Sequence, residues 1–450
     1  MASSRGEFGS RFGFVMAASG SAVGLGNIWG FPTQAASNGG AAFLLVYLFL
    51  AFLLAYPVLM AELVIGRHAH ANAVSALRQI SPTRLTGNIG ALGGMAGFVI
   101  ASLILTFYAI VAGWMMAFCL ASVADLIGLT DFSRWLMTFG WWRNVLFMLA
   151  FMALTMAIIT AGVRAGIEQW SQRLMPTLLI MLAALVGYVL TLEGAGDGLK
   201  VYLLPNFRSA LSPQLIIAAL GSAFFSLSLG VGTMLIYGSY LKDDENLPIV
   251  GGLVTLVDVS IAVLAGFLVL PAMYVALHNG VEIFTETGAL ISEDTLIFTV
   301  LPELFATMGI AGVLGSITFF FLMSIAALTS AISMLEVPVA YAIEEHGTRR
   351  RNAVLIIGSL IALGSVVILL NFESLFGLVI AITTRYSQPL LGLMMCVYAG
   401  WVWRRDSLLR ELRKNDPSAV EGLFWKVWPW YVKFVCPVII LAIFSHATWG

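Results

Sequence analysis

Charge is scarce in this sequence. Of 450 residues only 10% are Asp, Glu, Lys or Arg, against 60% hydrophobic, and the mean hydropathy is +0.95. A soluble domain carries about 25% charged residues, so a water-soluble globule is excluded. The net charge of −1 gives no basic surplus that would call for a nucleic-acid partner. Cysteine is nearly missing too. Cys119, Cys396 and Cys436 all fall in apolar runs, where isolated thiols behave as small hydrophobes rather than disulfide partners. The histidines (His68, His70, His278, His346 and His446) lie in loops or at the ends of apolar runs, and no Asp-rich pair or metal-ligand spacing accompanies them. A membrane-embedded enzyme needs clustered acids or histidines facing a cavity, so no catalytic residues and no enzymatic activity are expected. The first apolar run carries Asn27 and Pro32 and lacks an Ala-x-Ala end, so it is not expected to be a cleaved leader.

What the chain has instead is length in its apolar runs. A bilayer core of about 30 Å needs roughly 20 apolar residues per helix. That ruler predicts eleven spans, at 12–37, 40–66, 88–124, 144–161, 172–192, 214–240, 248–276, 309–343, 352–371, 375–403 and 429–447. Several exceed the minimum, which implies tilt or kinks. The long connections 125–143, 193–213 and 277–308 then fall on one side of the membrane.

Charge placement tests that count. With the N-terminus inside, the inner segments hold Arg5, Arg11, Arg67, Arg78, Arg84, Arg164, Arg173, Lys242, Arg349, Arg350, Arg351, Arg404, Arg405, Arg410, Arg413, Lys414 and Lys426. The outer segments hold only Arg134, Arg143, Lys200 and Arg208, while Arg385 and Lys433 lie within spans. One missed or invented span would scramble this bias, which sets a cytoplasmic N-terminus and an extracytoplasmic C-terminus in a plasma (inner) membrane.

Two spans break the ordinary pattern at matching places. Span 1 contains Gly20-Ser-Ala-Val-Gly-Leu-Gly-Asn27 and then Pro32; span 6 contains Gly221-Ser222 and Ser226-Leu-Ser-Leu-Gly-Val-Gly232. Glycines and small hydroxyls weaken helix, and lipid forbids unsatisfied backbone at that depth unless it lines a cavity. Such runs also let helices pack closely. Their recurrence in the first member of each of two five-span halves points instead to a transporter site near the midplane. The expected organisation is one transmembrane domain over 1–450, with repeats at 12–192 and 214–403 and an additional helix at 429–447.

Unwound helix frees carbonyl oxygens, the ligands a dehydrated sodium ion requires. Asn27 and Ser226 sit in the interrupted segments, span 7 adds Asp258, and span 8 adds Ala326-Ala-Leu-Thr329-Ser330. A carboxylate in a span is costly and needs a cation or donors. The hydroxyls of Thr329 and Ser330 can alternatively bond back to their own helix.

The run Ser21-Ala-Val-Gly-Leu-Gly-Asn-Ile-Trp-Gly-Phe-Pro32, followed by Asn38-Gly-Gly-Ala-Ala-Phe43, Phe224-Phe-Ser-Leu-Ser-Leu-Gly230, Tyr237-Gly-Ser-Tyr240 and Leu328-Thr-Ser330, resembles the neurotransmitter:sodium symporters, and among them the bacterial amino-acid transporters. The resemblance implies an all-α, leucine-transporter-like bundle of 5+5 inverted repeats, with helices 1 and 6 discontinuous and an eleventh helix added. It implies symport of an amino-acid-like solute with Na+, two ions in all. The first sodium site would use Ala22, Asn27, Ser226 and Asp258. The second would use Gly20, Val23, Ala326, Thr329 and Ser330. The substrate carboxylate would meet N–H groups around Leu25 and Gly26 and the hydroxyl of Tyr108. Ala22, Gly24, Ser226 and Ser330 would border the substrate, and Ser21, Ile104, Phe225, Ser228, Val231 and Met334 would line its side-chain pocket, Phe225 as lid. Monoamine carriers of the family have an aspartate where this chain has Gly24, so a ligand bringing its own carboxylate is implied. An inner gate would join Arg5 to Glu344 with Phe8, Ser239 and Tyr240 around it. The Gly166-x9-Pro176 spacing at the start of span 5 implies an end that unwinds easily.

The chain also departs from that pattern. Relatives carry an arginine where Gly30 stands, paired with a span 10 aspartate that is absent near Gly377 or Ile380. Arg385 takes its place as a span 10 cation, either reading an anionic group on the substrate or forming a structural salt bridge with Glu336 or Glu62. Ala262 and Ser222 replace family chloride ligands while Tyr47 remains, and the charge of Asp258 makes chloride dispensable. The expected function is sodium-coupled import of a neutral or hydrophobic L-amino acid. An acidic substrate read by Arg385 is the alternative, and an ion channel or a membrane enzyme the competing class.

Overall fold

The computed structural model describes residues 6–205, 212–284, 296–414 and 423–449. Five predicted spans are single long apolar helices beginning and ending near the expected residues: Arg84–Leu126, Trp141–Thr160, Leu247–His278, Gly309–His346 and Arg350–Leu370. Ala41–Ala69 and Val163–Val189 are two more, so seven helices cross by length and composition alone among the described residues. Span 1 makes an eighth from two pieces. Its halves, Arg11–Ala22 and Gly26–Ser37, meet at a 59° bend. Span 6 is shorter still in its pieces, Pro213–Ser226 and Thr233–Gly238. Spans 10 and 11 are helical over 372–402 and 423–449, each with wider π-type turns inside. The chain is a multi-pass membrane protein.

Local chemistry explains the breaks. The first half of span 1 starts on Ser10, whose hydroxyl accepts from the Gly13 N–H, a standard N-cap. Its last turn ends at Val23, which has extended backbone, and the chain resumes as the π-type turn Gly26–Gly30 leading into Pro32. Between Ser226 and Thr233 the backbone passes through three left-handed residues, Ser228 (φ 51°), Gly230 (φ 82°) and Gly232 (φ 81°). Left-handed backbone suits glycine, whereas Ser228 holds it against a steric cost of order 1 kcal/mol, offset by its hydroxyl bond to the Ser21 carbonyl at 2.9 Å.

The connections at 125–143, 193–213 and 277–308 carry short helices, Thr130–Met137, Ala195–Leu203 and Leu301–Thr307. Spans 3 and 8 pack along much of their length and frame the two broken spans. Span 5 departs from expectation. It begins at Val163, earlier than predicted, and stays helical past both Gly166 and Pro176. The π-type turn Val163–Glu168 gives the extra backbone width there, and Glu168 caps the chain start by accepting from Gly9 N (2.7 Å), Ser10 N (3.1 Å) and Ser10 Oγ (3.1 Å).

A second buried clamp holds the same end of the molecule. Arg67, at the end of span 2, donates to Glu411 Oε1 at 2.8 Å, to the Glu411 carbonyl and to the Glu245 carbonyl. Both side chains are about 2% exposed or less. Burial by itself raises the Glu411 carboxyl, but the His68 hydrogen bond and the Arg67 and Lys414 charges outweigh it and hold the group down to about 2. Because the folded value lies below the ordinary 4.5, the pair's contribution is complete above that range and is lost as pH falls through about 2. Glu411→Ala strands Arg67 without its charge partner and is expected to destabilise the protein by about 3 kcal/mol. Thermal unfolding of the purified protein checks it: the gap between wild type and variant should be full at pH 6 and narrow below pH 4.

Candidate functional site

The two breaks face each other and share a polar cluster. Asn27, just past the first break, donates through Nδ2 to Asp258 Oδ1 and to Ser226 Oγ, each at 2.7 Å. Ser226, the last helical residue before the second break, donates to Asp258 Oδ2 at 2.7 Å and lies 3.3 Å from the Tyr47 hydroxyl. Asn27 Oδ1 in turn accepts from the Gly24 N–H. Asn27 and Asp258 are fully buried and Ser226 nearly so. No Lys, Arg or His among the described residues forms an ion pair with Asp258; the buried cations bind elsewhere, Arg67 to Glu411 and Arg143 to the Leu136 carbonyl and Asn144, and the half-buried Arg350 binds Glu336. Two neutral donors do not neutralise a carboxylate that far from water.

Beside this cluster lies a narrow cavity, with about 20 Å³ open to the centre of a water molecule, room for about one water. Ala22, Gly24, Leu25, Gly26, Asn27, Ile104, Tyr108, Phe225, Ser228, Val231, Ser330, Met334 and Gln388 line it. Every residue named for the substrate is therefore on its wall except Ser21, Ser226 and Arg385. Ser21 turns its hydroxyl to Ser333 at 2.7 Å, while its carbonyl accepts from Ser228 and Ser330. Ser226 points into the Asp258 cluster. The Leu25 N–H donates to the Tyr108 hydroxyl at 3.1 Å, so broken helix and tyrosine are already aimed at one point. A β-carbon at Gly24 would sit 2.6 Å from the Tyr108 hydroxyl, and one at Gly26 2.5 Å from Cδ1 of Phe225.

The residues of the second sodium set meet where span 1 leans on span 8. A β-carbon at Gly20 would lie 3.0 Å from that of Thr329. Ser330 reaches across to span 1, but the Thr329 hydroxyl bonds back to the carbonyls of Ile325 (3.2 Å) and Ala326 (3.1 Å). Among the described residues no group of three or more His, Cys, Asp or Glu side chains could hold a metal ion. The oxygens gathered in the two sets are hydroxyl, amide and carbonyl groups with one carboxylate, Asp258 of the first set, a donor chemistry that suits a hard monovalent cation.

Several expectations about charge need correction. Arg385 is exposed and lies off the cavity wall, where Gln388, one turn further along span 10, stands instead. The guanidinium of Arg385 lies 5.7 Å from the Tyr386 ring. Neither expected acid serves it. Glu336 is bound by Arg350 and by the Tyr240 hydroxyl at 2.7 Å, and Glu62 accepts from the Gly230 N–H at 2.7 Å. Of the inner-gate residues, Arg5 lies outside the described residues. Glu344 accepts from the Asn72 backbone and side chain, and Ser239 and Tyr240 are buried. Phe8 is wedged edge-on against Phe14, Tyr237 and Tyr240, and its N–H bonds the Tyr240 carbonyl. Toward the other end, Trp29, Trp114, Phe118, Phe139, Phe298, Phe372 and Phe376 form a contiguous ring cluster. Trp114 follows Tyr108 by about 9 Å along span 3, and Trp29 of the cluster is the residue before Gly30. Gln388, Glu168, Arg350 and the aromatic cluster were not singled out from sequence, since each takes its meaning from a segment remote in the chain.

A family model described as the sodium:neurotransmitter symporter family matches residues 5–138 and 128–449. The chain belongs to the sodium:neurotransmitter symporter family. It is 33% identical over 456 residues to an uncharacterised sodium-dependent transporter of Bacillus subtilis, covering 98% of this chain and 97% of that one. A sodium-dependent serotonin transporter of Drosophila melanogaster is 26% identical over 99% of this chain and 77% of its own length. The crystal structure of MhsT in complex with L-phenylalanine matches with a TM-score of 0.85 and 34% identity, covering 98% of this chain and all of that one. The observed fold is therefore the expected leucine-transporter-like bundle, and this member of the symporter family is a sodium-dependent transporter of a small molecule rather than an enzyme.

The glycines of the first break supply a test. Gly24→Ala and Gly26→Ala force Tyr108 and Phe225 aside and are expected to cut sodium-dependent uptake at least tenfold. Gly30→Ala, where nothing lies within 4 Å of the added carbon, should leave uptake within about twofold in the same assay in proteoliposomes.

Proposed function

We propose that this symporter imports a neutral or hydrophobic L-amino acid with two sodium ions by alternating access. The observation that carries the reading is the fully buried Asp258 carboxylate, hydrogen-bonded by Asn27 and Ser226 but ion-paired to no basic side chain among the described residues. A buried anion so placed calls for a cation. In this reading Asn27, Ser226, Asp258 and the Ala22 carbonyl hold one sodium, and Gly20, Val23, Ala326, Thr329 and Ser330 hold the second once the Thr329 hydroxyl turns from its own helix. The substrate carboxylate completes the first shell and accepts from the N–H groups near Leu25 and Gly26, with Tyr108 donating to it. Gly24 leaves no fixed charge for an amine, and Ile104, Val231, Met334 and Phe225 offer an apolar wall. The bound L-phenylalanine of MhsT supports an amino acid of that kind. A substrate of this size must spread the narrow cavity, with Phe225 as the moving lid. The 12–192 and 214–403 repeats rock against each other, in an inner membrane with the N-terminus cytoplasmic and the C-terminus outside. The exposed position of Arg385 speaks against an acidic substrate.

Thermal stabilisation tests the reading, because a ligand at 100 times its Kd adds about 2.7 kcal/mol to the folded state. Leucine or phenylalanine should raise the melting temperature by several degrees in NaCl and not in choline chloride. Asp258→Ala should abolish the shift, and stabilisation persisting in choline would sink the sodium sites. Uptake should survive replacement of chloride by gluconate, since Asp258 supplies the negative charge, whereas a collapse would refute chloride independence. Arg385→Ala should change uptake of acidic and apolar amino acids by the same factor.

A further inference from the structure

One buried polar group on the cavity wall has no role in the reading above. Gln388 is 3% exposed and lines the cavity from span 10. Its amide nitrogen points at the Leu229 carbonyl in the second break, 3.4 Å away, which sets the orientation of the group. Its Oε1 is buried with no hydrogen-bond partner among the described residues. An acceptor left unmade in a low-dielectric site is expensive, and among the polar residues on the wall that Gln388 shares with Ile104, Val231 and Met334 it is the one whose side chain keeps a buried atom without a hydrogen-bond partner among the described residues. The backbone brings it there. Gly230 has no side chain, and a β-carbon at that position would collide with the Gln388 carbonyl. Span 10 can therefore close against the second break only because that residue is glycine.

We propose that Gln388 is a specificity-determining residue whose Oε1 accepts a hydrogen bond from an N–H or O–H on the substrate side chain, so that the preferred substrates are apolar amino acids with one donor, the indole of tryptophan or the phenol of tyrosine. The inference rests on the amino-acid reading of the cavity. Aliphatic side chains fill the same apolar wall but leave Oε1 unpaired, and sites built to bond a donor discriminate against ligands that lack it. The chemistry also excludes a side-chain carboxylate, which would face the amide oxygen with like partial charge.

Matched ligand pairs separate this from simple packing. Sodium-dependent Kd values are measured by competition for tyrosine against phenylalanine, and for tryptophan against 1-methyltryptophan, whose ring nitrogen has lost its proton. In wild type the donor-bearing member of each pair should bind about tenfold tighter. In Gln388→Met, of similar volume, both ratios should fall to about one while sodium-dependent binding of phenylalanine is retained, which also shows that the variant is folded. Equal binding within each wild-type pair, measured without any variant, overturns the proposal, as do ratios that survive Gln388→Met. If no amino acid binds with sodium, the amino-acid reading itself fails; binding of phenylalanine without discrimination defeats only the role of Gln388.

Discussion

Asp258 is the constraint around which the centre of this molecule is arranged. A carboxylate with no exposed surface costs several kcal/mol to bury even after relaxation, and its two oxygens take their donors from both broken spans, Asn27 in one and Ser226 in the other. That single side chain on span 7 therefore ties together the two segments whose backbone is unsatisfied by helix. The donors are neutral, so the cluster holds its geometry while supplying no ionic partner for a charge on that carboxylate. A site that is pre-organised yet electrostatically incomplete suits an ion that must bind and leave, which is the basis of the sodium role proposed for it.

The breaks themselves are held from outside. Gly230 donates to Glu62 on span 2, Ser228 and Ser330 both bond the Ser21 carbonyl, and Leu25 bonds Tyr108 on span 3. Each is a backbone group that a continuous helix would have satisfied internally, given a partner from a neighbouring span. The cavity lies among these contacts, so a substrate group replacing one of them exchanges bond for bond. The small residual volume fits this picture, with Phe225 lying over Gly26.

The two ends of the bundle are held by different physics. At one end charge does the work: Glu168 collects three donors from the chain start, Arg350 and Tyr240 share Glu336, and Arg67 grips Glu411. At the other, rings from spans 1, 3 and 10 and from Phe298 pack edge and face. Hydrogen-bonded ion pairs are directional and break as units, whereas aromatic edges slide with little loss. The loss of an Arg–Asp pair at Gly30 and span 10 is consistent with a closure that does not depend on charge.

Hydropathy alone located the seven long apolar helices and the bent span 1 among the described residues. The glycine and small-hydroxyl runs located both breaks to within a few residues, because backbone exposure in lipid has so few sequence solutions. The motif also named nearly all the residues that line the cavity, since broken-helix positions lie close in sequence to the groups they expose. What tertiary structure decided was pairing across distance. Arg385 looked like a site residue because any cation in a span does, but it falls in the π-type turn Ala381–Ser387, and it is Gln388, at the start of the helix that follows, that lines the cavity. Glu336 and Glu62 looked available because their partners, Arg350 and the Gly230 amide, lie on other segments. Pro176 and Gly166 suggested an end that unwinds easily, and here that end is helical, with Gly166 in a π-type turn and Pro176 inside the helix that follows. In each case the missing information was which side of a helix meets which neighbour, a property that hydropathy leaves blank once nearly every face is apolar.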